Sequence, residues 1–275
     1  MRFTLAVLVL AGALPLAAQK SDPLAFLRRT NDQDDMAFIN YKNQPYSPVR
    51  SGELRSASFL TEMRDMPFGE LLGPVDPPVV RATQSAEAAL PGMVIAVRPP
   101  EGAAYQRGDT IMTALVTPGP KGFGDIIVPT GLARITDHTP RQTLAVLIVM
   151  FGPVRYGQVV LPVEPASNPG KVQPVAIAGP SGEMIGSEEA RELLQVGGRV
   201  FVDIGRSAGL RVGDFVEFHR RGAPRINASD TIDDLMATGQ VVHIGEKSST
   251  VKLTRILDPA LRAGAVVVRT ATLPN

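Results

Sequence analysis

One module is written twice in this chain, so the fold must be a unit that can stand beside a copy of itself. The first copy occupies residues 92–164 and the second residues 197–275. Arg107-Gly108-Asp109-Thr110-Ile111 answers Val212-Gly213-Asp214-Phe215-Val216. Thr130-Gly131-Leu132-Ala133 answers Thr238-Gly239-Gln240-Val241. Arg155-Tyr156-Gly157-Gln158-Val159-Val160 answers Arg262-Ala263-Gly264-Ala265-Val266-Val267. The repeated glycines Gly108, Gly131, Gly157, Gly213, Gly239 and Gly264 fall where strands are expected to begin or end, which predicts turns with positive φ. Units of this length fold alone, unlike solenoid repeats, so a tandem pair of small domains is expected.

Between these glycines the chain alternates apolar and polar residues with the period of strands. In the first copy the expected strands are residues 93–97, 110–116, 126–128, 132–135, 143–151 and 158–163. In the second they are residues 199–204, 215–220, 238–244, 249–256 and 265–270. Gly or Pro at nearly every gap suits small antiparallel barrels better than βαβ units. Closing each barrel would hide strand edges that otherwise invite aggregation. The predicted fold class is therefore mainly β, with two tandem antiparallel β-barrels.

The flanking segments read differently. Residues 1–18 carry Arg2, an apolar run too short to span a bilayer comfortably, and small residues at Ala17 and Ala18, which together predict a secretory signal peptide. Residues 19–91 are expected to form an extended arm. Pro45, Pro48, Pro67, Pro74, Pro77 and Pro78 cut it into short pieces, and its apolar residues show no sustained period. Residues 165–196 form the expected linker. An edge strand is predicted at residues 172–178, and a short helix capped by Ser187, with Glu188 and Glu189 in its first turn, running to Gln195.

Composition narrows function by exclusion. The chain contains no cysteine, which removes disulfides, thiol nucleophiles and Cys-ligated metals. A net charge of +1 gives no global field toward nucleic acid or anionic lipid. No further apolar run reaches membrane length once the signal is removed.

The stretch 199–219 carries a family resemblance: a strand through Ile204, then Gly205, Gly209-Leu210, Gly213-Asp214 and a second strand. It resembles the C-terminal β-domain of flagellar assembly protein T and related modules in bacterial envelope proteins that carry a LysM domain. A shorter version is similar to the β-domains of rod-shape-determining protein C. The second copy matches over most of its length. The first keeps Gly108-Asp109 and the later turns, with Pro99-Pro100 where the second has Ile204-Gly205. The resemblance implies an exported, non-catalytic module in the periplasm or cell envelope, with an envelope protein or wall polymer as partner and no cofactor. No LysM domain is recognisable here, so peptidoglycan binding does not transfer with it.

Patterns with catalytic or ligand-binding potential are sparse. His138, His219 and His243 lack the spacing of a metal pair, and the two copies share no histidine. Gly179-Pro180-Ser181-Gly182-Glu183 has Glu where a nucleophile elbow needs Gly. Asp32-Gln33-Asp34-Asp35 lacks the Gly and distal Glu of a calcium loop, and Gly119, Gly122 and Gly124 lack dinucleotide spacing. Asp233-Asp234 and Glu188-Glu189 are adjacent pairs whose side chains diverge on a strand or a helix. Asp109 and Asp214 are read as turn residues that bond their own backbone. One cluster suggests binding: His219, Arg220, Arg221 and Arg225, where guanidinium groups on a hairpin would grip carboxylates or an anionic polymer. The expectation is a non-enzymatic envelope binding or scaffold protein. A subunit of an envelope ring or secretion apparatus, and an exported hydrolase with its site at the module junction, are the alternatives; oligomeric state stays open.

Overall fold

Gly108 and Gly213 show how the same local chemistry builds both copies. They sit at φ +96° and +92°, each two residues before a strand, in the left-handed region that Cβ sterics deny to other residues. The Gly108 N–H donates to Ile135 O at 2.9 Å, and Ile135 returns its N–H to Asp109 O at 2.8 Å. At the second site Gly213 donates to Val241 O at 2.8 Å and Val241 returns to Asp214 O at 2.9 Å. Matching clamps join Gly92 to Leu147 and Gly197 to Leu253, then Gly157 to Leu71 and Gly264 to Met184. No atom lies within 4 Å of where a Cβ would stand at Gly108 or Gly213, so alanine there meets only backbone strain. Gly108→Ala and Gly213→Ala should each cost about 1 kcal/mol in denaturant unfolding, and a negligible loss at either site would deny the turn its role.

The structure is a computed structural model that describes residues 49–75, 88–139, 142–163, 174–189, 193–221 and 235–273. The expected signal segment, the arm up to residue 48, linker residues 164–173, Asp233-Asp234 and Arg225 lie outside these residues. Among the described residues one short α-helix, α1 (Ser51–Ser56), precedes sixteen strands, with a single 3-10 turn at Arg206–Ala208. The first group is β1 (Phe59–Leu60), β2 (Gly69–Pro74), β3 (Ala88–Ala89), β4 (Val94–Arg98), β5 (Thr110–Pro118), β6 (Asp125–His138), β7 (Thr143–Met150), β8 (Val154–Arg155) and β9 (Val159–Pro162). The second is β10 (Val175–Ala176), β11 (Ser181–Ser187), β12 (Arg199–Val202), β13 (Phe215–His219), β14 (Leu235–Ile244), β15 (Ser249–Ile256) and β16 (Val266–Thr272).

Each group closes into a six-stranded antiparallel barrel. The first ring runs β6-β5-β9-β2-β4-β7 and closes through β6–β7; the second runs β16-β11-β12-β15-β14-β13 and closes through β16–β13. Numbered by chain order within each barrel, both rings read fourth, third, sixth, first, second, fifth. The duplication therefore extends to topology. Alternation fills each interior: Leu71, Ile95, Val97, Ile111, Ile135 and Leu147 in the first, and Val200, Val202, Val216, Phe218, Val251 and Leu253 in the second.

Several expectations need correction. The first barrel begins before Gly92, because β2 supplies a full stave between β4 and β9. Residues 49–75 and 88–91 thus belong to the folded body rather than to an extended arm. The second barrel likewise begins at β11, inside the expected linker. The helix expected from Ser187 to Gln195 is not formed at residues 188–189 and 193–195, which are bends or irregular; residues 190–192 lie outside the described residues. Gly131 and Gly239 are not turns. They lie inside β6 and β14, where a Cβ would stand 2.8 Å from Val149 O or 3.0 Å from Lys252 O. The two short strands expected around Gly131 are one 14-residue strand, with Thr130 as an unpaired bulge residue opposite Thr113 and Ala114.

Candidate functional site

The two barrels meet through a bridging segment, residues 49–68, and here the unusual geometry concentrates. α1 places Leu54 inward against Val49, Ala57 and Val242 of the second barrel. Its Glu53 carboxylate pairs with Lys252. Ser56 Oγ accepts from Arg199 at 2.9 Å, and Ser58 O accepts from Thr250 Oγ1 at 2.6 Å. Immediately afterwards the segment turns to the first barrel. β1 pairs with β6, and Thr61 and Glu62 extend the pairing by donating to Asp125 O and Phe123 O, each at 2.9 Å. A segment of mixed apolar and polar residues can thus serve two surfaces in succession.

Glu62 is the centre of this junction. Its side chain is 3% exposed and enters the β14–β15 hairpin. It accepts from the Lys247 and Ser248 backbone N–H groups and from Ser248 Oγ, each at 2.8 Å, and from Glu246 N at 3.2 Å. Arg64 covers the carboxylate from the solvent side. Burial by itself would raise the carboxyl, but the Ser248, Lys247 and Arg64 donors prevail and hold it at about 2. A Cβ on Gly245 would collide with this carboxylate, so the hairpin keeps glycine where the acid enters. Glu62 and Met63 carry φ of +54° and +60°, strain that the carboxylate's bonds hold in place.

His243 lies beside this latch, stacked on Phe59 with ring centroids 4.6 Å apart and an interplanar angle of 16°. Burial, then the Arg206 guanidinium, pushes its imidazole down to about 4, against the pull of Glu62. The ring is neutral at ordinary pH. Phe201 completes the contact. It is fully buried although it points away from the second barrel's own core, because Leu60 and Ile126 cover it from the first.

These shifts set an acid sensitivity with a definite sign. The unfolded chain protonates this acid near 4.5 and this histidine near 6.5, whereas the folded values are about 2 and about 4. The unfolded state therefore binds more protons in both intervals, and stability falls as pH falls. The histidine contribution should be complete above about 6.5 and lost toward 4; the Glu62 contribution should be complete above about 4.5 and lost toward 2. Urea midpoints measured against pH should show both losses, and Glu62→Ala should make the lower one smaller, leaving the part carried by acids such as Glu53 and Asp258, which are also held below their usual range.

A cleft of about 570 Å³ opens at the junction. Met112 and Leu161 of the first barrel, Val212 and Val242 of the second, and Phe59 and Met66 of the bridge form its apolar lining. Arg55, Arg64 and Arg206 stand around it with Glu62, His243 and Glu246.

The residues singled out in the sequence fall elsewhere, His243 excepted. Asp109 accepts from Gln106 N at 2.7 Å, and Asp214 from Arg211 N at 2.9 Å and Thr272 Oγ1 at 2.6 Å. Both hold turns. His138 lies within 3.2 Å of Thr143 Oγ1 in the β6–β7 hairpin. His219 ends β13, with Nε2 3.5 Å from a Glu217 oxygen. Arg220 pairs with Asp258 and Arg221 with Glu183, so an external carboxylate would have to displace an internal one. Glu188 pairs with Arg199 at 3.0 Å. Ser181 begins β11, in no strand-to-helix elbow. Among the described residues, no group of three or more His, Asp or Glu is placed to hold a metal.

Sequence reasoning missed Glu62 and the bridge. A lone acid carries no pattern, and its donors lie nearly two hundred residues away. The first stave of each barrel did leave a signal: Gly69-Glu70-Leu71-Leu72-Gly73 in β2 and Gly182-Glu183-Met184-Ile185-Gly186 in β11 are one motif, with a register shift at the same place in both. No protein-family model, curated protein or solved structure matches this chain.

Proposed function

We propose that this protein is a non-enzymatic, exported scaffold of the cell envelope, binding an envelope protein or wall polymer through two barrels held at fixed spacing. The observation that carries this reading is the bridge itself. A dedicated segment, with a buried carboxylate and strained backbone, fixes one barrel against a second of the same topology. Fixed spacing lets a second contact form without paying again for orientation, provided the partner's sites match the span. The resemblance to flagellar assembly protein T, carried by Gly205, Gly209-Leu210 and Gly213-Asp214, supports the envelope setting.

The test uses the exposed, equivalent turns at Tyr156 and Ala263. A photoreactive residue placed at either position in intact cells should capture the same envelope partner, or sediment with isolated cell wall. Hydrolysis of an ester, peptide or glycan that follows the protein through purification and disappears with one point substitution would overturn the reading.

One feature favours the apparatus-subunit form of the proposal. β10 is an edge with no outer neighbour among the described residues, and Val175 and Ile177 are 55% and 44% exposed beside it. Such an edge is suited to strand addition by another chain. A defined high-order species on sizing, lost with Val175→Lys, would select that form.

A further inference from the structure

The cleft between the barrels combines an apolar lining with cationic and hydrogen-bonding groups that the fold leaves available. Its volume of about 570 Å³ lies within the usual range of small-molecule sites, roughly 300–1,000 Å³. Phe59, Met66, Met112, Leu161, Val212 and Val242 come from three separate parts of the structure and meet only here.

The polar groups differ sharply in how far they are satisfied. The Glu62 charge is met by the β14–β15 hairpin and by Arg64, so it offers little further attraction to a cation. Arg206 reaches Glu246 only at 3.9 Å, with both side chains substantially exposed. Arg55 is exposed at the end of α1 and forms no ion pair with a described residue. The His243 ring stacks on Phe59, and neither of its nitrogens is hydrogen-bonded to a described residue. The surplus around the cleft is positive, and the imidazole can give or accept one hydrogen bond.

We propose that the cleft is a binding site for a small amphipathic anion, with an apolar body on the Phe59–Met66–Met112–Leu161 surface and one carboxylate or phosphate held by Arg55 and Arg206. His243 bonds a polar atom next to the anionic group. An uncharged ligand of the same body would fill the floor but leave the guanidinium groups without a partner. A cationic one would meet three guanidinium groups, Arg55, Arg64 and Arg206, against the single unlatched acid Glu246. The site is separate from the scaffold contacts proposed above, and either assignment can fail without the other.

The probe is 1-anilinonaphthalene-8-sulfonate, an aromatic body with a fixed anionic group, titrated by fluorescence into the full chain. Saturable binding to one site is expected. Dodecanoate or dodecyl phosphate should displace the probe, with dodecanol at least about tenfold weaker because it lacks the charge. Arg55→Ala should weaken probe binding about fivefold or more, whereas Arg107→Ala, on an exposed turn of the first barrel, should leave it unchanged. Met66→Trp should abolish binding by filling the cleft, with circular dichroism confirming that the barrels remain folded. Arg55 is exposed, so its variant reads binding even if the tryptophan disturbs folding. Non-saturable binding, equal displacement by dodecanol, or an affinity indifferent to Arg55→Ala would overturn the assignment.

Discussion

Glu62→Ala should lower folding stability by about 2–4 kcal/mol. The carboxylate receives four hydrogen bonds from residues 246–248 and is covered by Arg64. Bonds to a charged group contribute about 1.5–3 kcal/mol each in favourable cases, and their sum is reduced here by the cost of burying the charge. Alanine also leaves three backbone N–H groups of the hairpin without their acceptor. The opposing effect is relief of the positive φ at Glu62 and Met63, about 1–2 kcal/mol per residue, which is gained only if the segment lets go. Urea unfolding reads the outcome directly. A shift below about 0.5 kcal/mol, the size of an ordinary surface change, would mean that the latch contributes nothing.

Phe201→Ala should be costlier still, about 3–5 kcal/mol for a fully buried aromatic. The location decides what is lost. Val200 and Val202 point into the second barrel, while Phe201 points out and is covered by Leu60 and Ile126. Truncation therefore opens a cavity between the barrels and leaves each interior intact. Calorimetry should show one cooperative transition in the parent chain and two separated transitions in the variant. A single transition merely shifted to lower temperature would place Phe201 in the second barrel's own core.

The barrels were legible because their turns depend on glycine. Gly92, Gly108 and Gly157, like their counterparts Gly197, Gly213 and Gly264, occupy a backbone region that side chains rarely enter, so sequence marks them directly. Gly131 and Gly239 carry the same letter for a different reason, close approach of a neighbouring strand, which only the folded packing reveals. The first stave of each barrel escaped notice because β2 runs from Gly69 to Pro74 and β11 carries Gly182 and Gly186 just inside its ends, so both resemble turns. Residues 181–187 look locally like a turn leading to a helix cap, but their ladder partners are β12 and β16, beyond the reach of local propensity. The bridge lacked a period because Leu54, Phe59 and Leu60 serve different neighbours. The arginine hairpin was visible as a charge cluster, while the acids that neutralise Arg220 and Arg221 lie 38 residues away in each case.

Residues 49–68 join two barrels of one topology within one compact unit, and the latch at Glu62 is expected to hold their spacing fixed. Because the chain has no cysteine, Tyr156→Cys with Ala263→Cys places one spin label on the same exposed turn of each barrel. Pulsed electron spin resonance should give one narrow inter-label distance distribution, broadened when Glu62→Ala is added. A distribution already broad in the parent chain, or one indifferent to Glu62→Ala, would contradict the account.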